Sequence, residues 1–125
     1  MALHVELKPF ERFNLNGAEV ANGPQRVRLQ IQSGARMLRE KDIMLEQDAT
    51  TPAKRLYFAL QNAYLKDRWA ESKADIAGLL PALTQYKSLN TSDVVARLSE
   101  GDLYRALRAL RQLIQAEEDS FLKTG

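Results

Sequence analysis

The stretch Leu38-Arg39-Glu40-Lys41-Asp42-Ile43-Met44, followed by Thr50-Thr51-Pro52-Ala53, decides how this chain is organised. Four consecutive charged residues stand between apolar residues in the first segment, and the second segment carries a helix-start signal. Thr51 is a favourable N-cap residue, and Pro52 suits the first helical position because its missing N–H would have no partner there. The charged segment therefore marks the end of one structural unit just before a helical unit begins.

Residues 1–48 have the apolar spacing of β-strands, because apolar and polar residues alternate in several short segments. The alternation is clear in 3–7 and 27–31, it is repeated in 13–15, and 35–38 can form one more short strand. Turn-forming residues separate these segments: Asn16-Gly17, Asn22-Gly23-Pro24 and Ser33-Gly34. We therefore predict a small antiparallel β-sheet or barrel-like half of four or five short strands.

Residues 49–125 have the apolar spacing of helices. A broad apolar face runs from Leu56 to Tyr64, and a second helical pattern that ends at Tyr86 contains Pro81, which either kinks this helix or restarts it. A short helix at 94–98 follows, and the last helix carries one long apolar stripe: Leu103, Leu107, Leu110 and Ile114. The predicted fold class is α+β, with a bundle of about four helices packed on the N-terminal half in one compact domain with a shared core.

The composition leaves few routes to catalysis. The 125-residue chain has no cysteine, and its single histidine, His4, lies on a predicted strand. Disulfides, thiolate metal ligands and cysteine nucleophiles are thus excluded, and no other residues have the spacing of a catalytic motif. We predict a protein that is not an enzyme and that uses neither a metal nor another cofactor. No signal peptide or membrane-spanning apolar run is recognisable, so we predict a cytoplasmic protein.

Basic residues are concentrated between positions 26 and 41, where Glu40 alone opposes them, although the net charge of the chain is only +2. We assign them to a candidate RNA-binding surface of the N-terminal half: Arg26, Arg28, Arg36, Arg39 and Lys41. Arg39 is the leading candidate, because a planar guanidinium can bind a phosphate or a guanine edge through two hydrogen bonds. The alternative is a salt bridge between this guanidinium and one of three carboxylates: Glu6, Glu40 or Asp42.

The helical half offers a candidate surface for a protein partner. The apolar face from Leu56 to Tyr64 is wide for a small chain to cover, so we expect a hydrophobic groove lined by Tyr57 and Tyr64. Three arginines lie off the apolar stripe of the last helix and project together: Arg105, Arg108 and Arg111. These five residues form the predicted partner-binding set.

The aromatic residues admit two interpretations, as platforms for stacked bases or as core. In the first predicted helix they alternate with leucines at helical spacing, which favours the core for Tyr57, Phe58, Tyr64 and Trp69. Phe10, Phe13 and Leu15 are likewise predicted to lie in the core.

Several motifs resemble, in their order along nearly the whole chain, the FlbT family of flagellin regulators. The motifs are Leu7-Lys8-Pro9, Leu15-Asn16-Gly17-Ala18, Leu38-Arg39-Glu40-Lys41-Asp42-Ile43-Met44, Thr51-Pro52-Ala53 and Tyr57-Phe58. The resemblance implies a cytoplasmic regulator that associates with the 5′ untranslated region of flagellin mRNA and represses translation or promotes mRNA decay. It also implies a small partner protein, FlaF. An alternative is a protein-interaction module or chaperone-like adaptor, in which the helical half binds FlaF or flagellin and the effect on mRNA is indirect.

The N-terminal half also resembles, more faintly, the carbon storage regulators, which are small β proteins that bind mRNA leaders. Val27-Arg28-Leu29-Gln30-Ile31 is similar to one of their strands, and Arg39-Glu40 with Ile43 is similar to their Arg-Glu string. This resemblance implies that the first strand borders Arg36 and Arg39 in a common RNA surface. Because those regulators intertwine their strands as dimers, it also implies a homodimer.

Overall fold

The computed structural model of the protein describes residues 3–32, 34–84 and 90–124. Within them lie five strands, β1 Leu3–Leu7, β2 Arg12–Leu15, β3 Ala18–Ala21, β4 Val27–Ile31 and β5 Met37–Arg39. Two single-turn 3₁₀ helices follow, Glu40–Asp42 and Glu46–Asp48. The α-helices are α1 Pro52–Leu65, α2 Trp69–Thr84, α3 Ser92–Ser99 and α4 Leu103–Thr124. The α+β fold class predicted from the sequence is confirmed.

The chain forms two compact units. The N-terminal unit comprises Met1–Ile43 and Leu65–Asp67, and the helical unit comprises Met44–Tyr64 and Arg68–Gly125. The division predicted at residue 48 and the predicted core shared by the two halves stay predictions.

The strands of the N-terminal unit form two small antiparallel sheets. One sheet pairs β1 with β4, and the other has the strand order β3-β2-β5. Alternate residues of both sheets turn inward, so that one apolar cluster joins the two sheets: Val5, Leu7, Phe13, Ile31 and Met37. The strand β3 was not predicted, because each of its four residues is exposed and no apolar alternation marks it.

The turn between β2 and β3 follows directly from its residue types. Asn16 and Gly17 have positive φ angles of 53° and 92°, as a two-residue hairpin turn requires. The Asn14 side chain accepts a hydrogen bond from the Gly17 N–H at 2.9 Å, which closes the turn. The predicted turn at Asn16-Gly17 is therefore confirmed.

In the helical unit, α1 and α4 run antiparallel. The Ala53 N–H, in the first turn of α1, donates to Glu117 Oε2 of α4 at 3.2 Å. At the opposite end of α1, the ring centroids of Tyr64 and Tyr104 are 6.1 Å apart. The beginning of α1 thus lies beside the C-terminal part of α4, and α3 also packs against α4.

The apolar faces of the helices lie close to their predicted positions. In α4, Leu107 and Leu110 are buried, whereas Leu103 and Ile114 are only partly buried. The buried face of α4 also includes Ala106, Ala109, Leu113 and Glu117. The helix α2 continues through Pro81 without restarting. Tyr86, which was assigned to the same helical pattern, lies outside the described residues.

One buried amide organises the segment before α1. The Gln61 side chain accepts from the Met44 N–H at 2.6 Å and donates to the Met44 carbonyl at 2.9 Å. Gln61 is 3% exposed, and these two bonds satisfy both ends of its amide. No α-helix within the described ranges is long and apolar enough to cross a membrane.

Candidate nucleic-acid interface

Two of the predicted RNA-binding arginines lie at the β1–β4 sheet: Arg28 on β4 and Arg26 just before this strand. Glu6 lies opposite Arg28 in the strand register, and Arg28 Nη2 is 3.1 Å from Glu6 Oε1. Arg26 Nη1 lies 3.9 Å from the other oxygen of the same carboxylate. The two arginine side chains are 64% and 73% exposed, and ion pairs of such exposure contribute only about 0–1 kcal/mol. Both guanidinium groups can therefore exchange this carboxylate for a phosphate at little cost.

Arg39 is held by partners within its own unit. Its Nε and Nη2 atoms donate to the two carboxylate oxygens of Glu11 at 2.8 and 2.9 Å. Nη2 also donates to the backbone carbonyl of Glu6 at 2.9 Å. The expected salt bridge is therefore present, but its carboxylate is Glu11 and not one of the three that were predicted. Two of its nitrogens are engaged and its side chain is 29% exposed, so Arg39 links β5 to β1 and to Glu11, the residue just before β2. Its role in RNA binding stays a prediction.

The pKa values of this pair reflect the contact. The hydrogen bond from Arg39, together with the Lys8 backbone N–H, lowers the pKa of Glu11 to about 2. The same side-chain bond raises the pKa of Arg39 above its usual value. Glu11 is therefore ionised at every physiological pH, and its charge is matched by the guanidinium.

The remaining two predicted RNA-binding residues lie apart from this group. Arg36, just before β5, reaches Asp67 Oδ2 at 3.9 Å, and its Nε donates to the Leu65 carbonyl at 3.5 Å. Lys41 is exposed in the first 3₁₀ helix. The structure therefore brings Arg26, Arg28 and Arg39 together around Glu6, whereas Arg36 turns toward residues 65–67.

Sequence reasoning missed two features of the N-terminal unit. No sequence motif identifies Glu11 as the partner of Arg39, because the two residues are 28 positions apart in the chain. Phe10, which was predicted to be core, is 69% exposed. The correction has a simple cause, since Phe10 lies in the turn between β1 and β2, where the alternation of the strands does not apply. Phe13 is buried as predicted, and Leu15 is partly buried.

Charge is distributed unequally between the two units. The N-terminal unit contains eight Lys and Arg against six Asp and Glu, whereas the helical unit contains ten of each. The whole net charge of +2 therefore belongs to the N-terminal unit.

The predicted partner-binding residues differ in exposure. Tyr57 is 2% exposed and Leu56 and Leu60 are fully buried, so the expected groove is absent at this part of α1. Tyr64 is partly buried and stacks obliquely with Tyr104. The α4 arginines are exposed, as expected: Arg105, Arg108 and Arg111. Arg105 also lies 3.5 Å from the Asp102 carboxylate. A partner could reach Tyr57 only by opening the core, and binding at all five residues stays a prediction.

The described residues do not assemble a metal site. No three His, Asp or Glu side chains within residues 3–32, 34–83 and 90–119 are grouped so that they could hold an ion.

Comparison with known proteins identifies the family. The sequence model of the family described as "Flagellar protein FlbT" matches residues 3–121. The chain is 36% identical over 122 residues to "Probable flagellum biosynthesis repressor protein FlbT" of Rhodopseudomonas palustris (strain TIE-1), covering 95% of this chain and 97% of that protein.

Two Caulobacter proteins give similar matches. A protein of the same name from Caulobacter sp. (strain K31) is 38% identical, with 94% and 95% of the two chains covered. "Flagellum biosynthesis repressor protein FlbT" of Caulobacter vibrioides (strain ATCC 19089) is 37% identical, with 95% and 89% covered. No solved structure matches the chain significantly. The family match and the relatives agree over almost the entire sequence, and this chain belongs to the FlbT family of flagellar proteins.

Proposed function

We propose that this protein is a post-transcriptional repressor of flagellin synthesis that binds the 5′ untranslated region of flagellin mRNA through its N-terminal unit. The relatives are named as repressors of flagellum biosynthesis, which supports a regulatory role in flagellar synthesis. In this proposal the bound protein blocks translation or promotes decay of the mRNA. It acts in the cytoplasm, where the mRNA is translated, and it does so without catalysing a reaction.

The observation that supports the proposal is the difference in net charge between the two units. The net positive charge belongs to the N-terminal unit, and two highly exposed arginines of that unit share one carboxylate on the outer face of the β1–β4 sheet. Arg28 lies on β4 and Arg26 lies just before it, and exposed arginines held in this way are suited to binding a phosphate backbone. On binding, phosphates would take the place of Glu6 beside Arg26 and Arg28.

A direct binding measurement tests the proposal. The purified full-length protein is titrated into a labelled flagellin leader RNA, and into an unrelated RNA of equal length, with fluorescence anisotropy as the readout. The expected result is tighter binding to the flagellin leader. The double variant Arg26→Gln/Arg28→Gln should bind about tenfold more weakly, because two phosphate contacts are lost.

The matched control is Arg105→Gln/Arg108→Gln, which removes two exposed arginines of α4 and changes the net charge equally. Its affinity for the leader should remain within about twofold of the unmodified protein. If both double variants lose the same amount of affinity for the leader RNA, a specific RNA-binding surface on the N-terminal unit is excluded. No binding by the unmodified protein, with or without a FlaF-type partner, would exclude direct recognition of the leader.

A second candidate function is favoured by α4 alone. Arg105, Arg108 and Arg111 are exposed on one side of this helix, and such a ridge fits an acidic surface of a partner protein, such as FlaF or flagellin. In that case the effect on mRNA is indirect. Calorimetric titration of the full-length protein with the FlaF-type partner separates the two functions. Loss of that interaction in Arg105→Gln/Arg108→Gln, with no RNA binding by the unmodified protein, would favour the second function.

A further inference from the structure

Phe10 is the most exposed large apolar side chain among the residues that the structure describes. It is 69% exposed, whereas the other exposed large apolar residues range from 36% to 55%. A ring this exposed adds little to the core, so burial does not account for its place in this turn.

The backbone at Phe10 adds to this observation. Its φ angle is +60°, which lies in the left-handed region. Residues other than glycine and asparagine rarely adopt this region, and bulky residues do so least of all. Because Phe10 is 69% exposed, the fold gains little buried apolar area from the ring in return. Strained backbone that is not compensated by packing is found preferentially at binding sites, where it presents a side chain.

The strained turn is firmly held. The Phe10 N–H donates to the Gly23 carbonyl at 2.9 Å, and the Glu11 N–H donates back to the Lys8 carbonyl at 3.1 Å. The Asn22 side chain donates to the Lys8 and Gln25 carbonyls, both at 2.8 Å. Two loops, 8–11 and 22–25, are thus joined by hydrogen bonds. The ring is therefore presented on a fixed support, which limits the entropy that a ligand would have to remove.

The surroundings of the turn are basic. Lys8 and Arg12 are each two residues from Phe10, so their Cα atoms lie within about 7 Å of its Cα, and both side chains are exposed. The second loop leads directly into Arg26, whose side chain is 64% exposed. The neighbouring carboxylate of Glu11 is neutralised by Arg39. The ring is therefore flanked by cations on both sides along the chain.

We propose that Phe10 is a stacking platform for an unpaired base of single-stranded RNA, with the adjacent phosphates bound by Lys8, Arg12 and Arg26. Every base has a flat π-face that stacks on an exposed aromatic ring, and basic residues on either side would bind the strand that carries the base. This inference rests on the proposed RNA-binding function and adds a residue and a ligand feature to it.

The test compares two strands of equal charge, each about 12 nucleotides long: a single-stranded RNA of mixed sequence and an abasic strand. Full-length protein is titrated into each strand. Phe10→Asn removes the ring but keeps a residue that tolerates positive φ, and Phe10→Tyr keeps the ring. Val20→Ala, which truncates another exposed apolar residue of the same unit, is the matched control.

The expected result is that Phe10→Asn binds the RNA about tenfold more weakly and binds the abasic strand as the unmodified protein does. Phe10→Tyr should restore RNA affinity, and Val20→Ala should leave it unchanged. The thermal stability of Phe10→Asn should equal or exceed that of the unmodified protein, because little packing is lost and asparagine tolerates the positive φ angle.

Three outcomes would overturn the inference. Equal RNA affinity of Phe10→Asn and the unmodified protein rejects the stacking platform while the proposed function stands. A loss of self-association or of FlaF binding in Phe10→Asn, without a loss of RNA affinity, assigns the ring to a protein contact. No binding of either strand or of the flagellin leader by the unmodified protein rejects the inference and the proposed function together.

Discussion

At the scale of single residues, the contact that distinguishes this structure is the pair formed by Arg39 and Glu11. Two hydrogen bonds join the side chains, and a third joins Arg39 to the Glu6 backbone of β1. Because it connects β5 to β1 and to the residue that precedes β2, Arg39 is a structural element of its unit. The exposed arginines beside Glu6 have no comparable role in the fold, so they are the residues at which RNA binding can be tested without disturbing it.

The first prediction concerns pH. Because the pKa of Glu11 is lowered from 4.5 to about 2 in the folded protein, the folded state favours the ionised carboxylate. This contribution to stability is present above pH 4.5 and is lost as the pH falls toward 2. We expect the free energy of unfolding, measured by urea denaturation, to fall with decreasing pH over this range. Glu11→Gln should reduce that dependence, and an unchanged pH profile would contradict the assigned pairing.

The second prediction separates the two kinds of arginine. Arg39→Ala should lower the free energy of unfolding by about 2–4 kcal/mol, because it leaves the Glu11 carboxylate without its charged partner. Arg28→Ala, which removes an exposed ion pair, should lower it by less than about 1 kcal/mol. Urea denaturation of both variants measures the difference. A smaller effect for Arg39→Ala than for Arg28→Ala would show that the Glu11 pair is not structural.

At the scale of elements, the beginning of α1 and the Asn16-Gly17 turn are the two places where one residue decides local geometry. Glu117 is 1% exposed, and its carboxylate accepts a hydrogen bond from the first turn of α1. A carboxylate at a helix N-terminus is favoured by the helix dipole and satisfies an N–H that has no partner within the helix. The side chain from α4 thus performs part of the capping of α1.

The third prediction tests this capping. Glu117→Ala should lower the free energy of unfolding by about 1–3 kcal/mol, because the Ala53 N–H loses its acceptor in a buried place. The control is Glu118→Ala, since Glu118 is 45% exposed and lies 3.2 Å from Lys54. That variant should lose less than about 1 kcal/mol. Equal losses in the two variants would indicate that Glu117 does not cap α1.

The fourth prediction concerns the hairpin turn. Gly17→Ala should lower the free energy of unfolding by about 1–2 kcal/mol, because φ is positive there and alanine is strained in that conformation. Gly23→Ala is the control, because its φ lies outside the left-handed region and a Cβ there would meet nothing within 4 Å. It should be neutral or slightly stabilising. If Gly17→Ala leaves the free energy of unfolding unchanged, a positive φ angle at residue 17 is excluded.

At the scale of the whole molecule, charge and helix content are segregated along the chain. The N-terminal unit carries the net charge of +2, and the helical unit is neutral with ten residues of each sign. In the proposed function, the first unit is the one that binds the RNA.

The fifth prediction uses the ionic-strength dependence of binding. The affinity for a flagellin leader should fall with salt, because bound phosphates release counterions. Each phosphate contact on a single strand contributes about 0.7 to the slope of log affinity against log salt concentration. Arg26→Gln/Arg28→Gln should therefore reduce the slope by about 1.4, and Arg105→Gln/Arg108→Gln should not change it. A reduced slope in the α4 variant would assign the RNA contacts to the helical unit.

Much of the fold is readable from local sequence. The change from strand to helix spacing near residue 48, the Asn16-Gly17 turn and the start of a helix at Thr51-Pro52 each depend on residues that are close along the chain. Spacing and turn chemistry act over a few residues, so the sequence by itself determined the α+β class, most of the strands and the four helices. It also determined family membership, through motifs in a fixed order.

Tertiary structure alone decided which charged and aromatic residues remain accessible. The fold pairs Arg39, a predicted RNA contact, with Glu11 from 28 positions away, and it buries Tyr57, a predicted groove residue. Phe10, in contrast, was expected in the core, and a turn with positive φ left it exposed. The physical reason is common to all three. Burial and ion pairing depend on residues that are distant in sequence and become neighbours only when the chain folds.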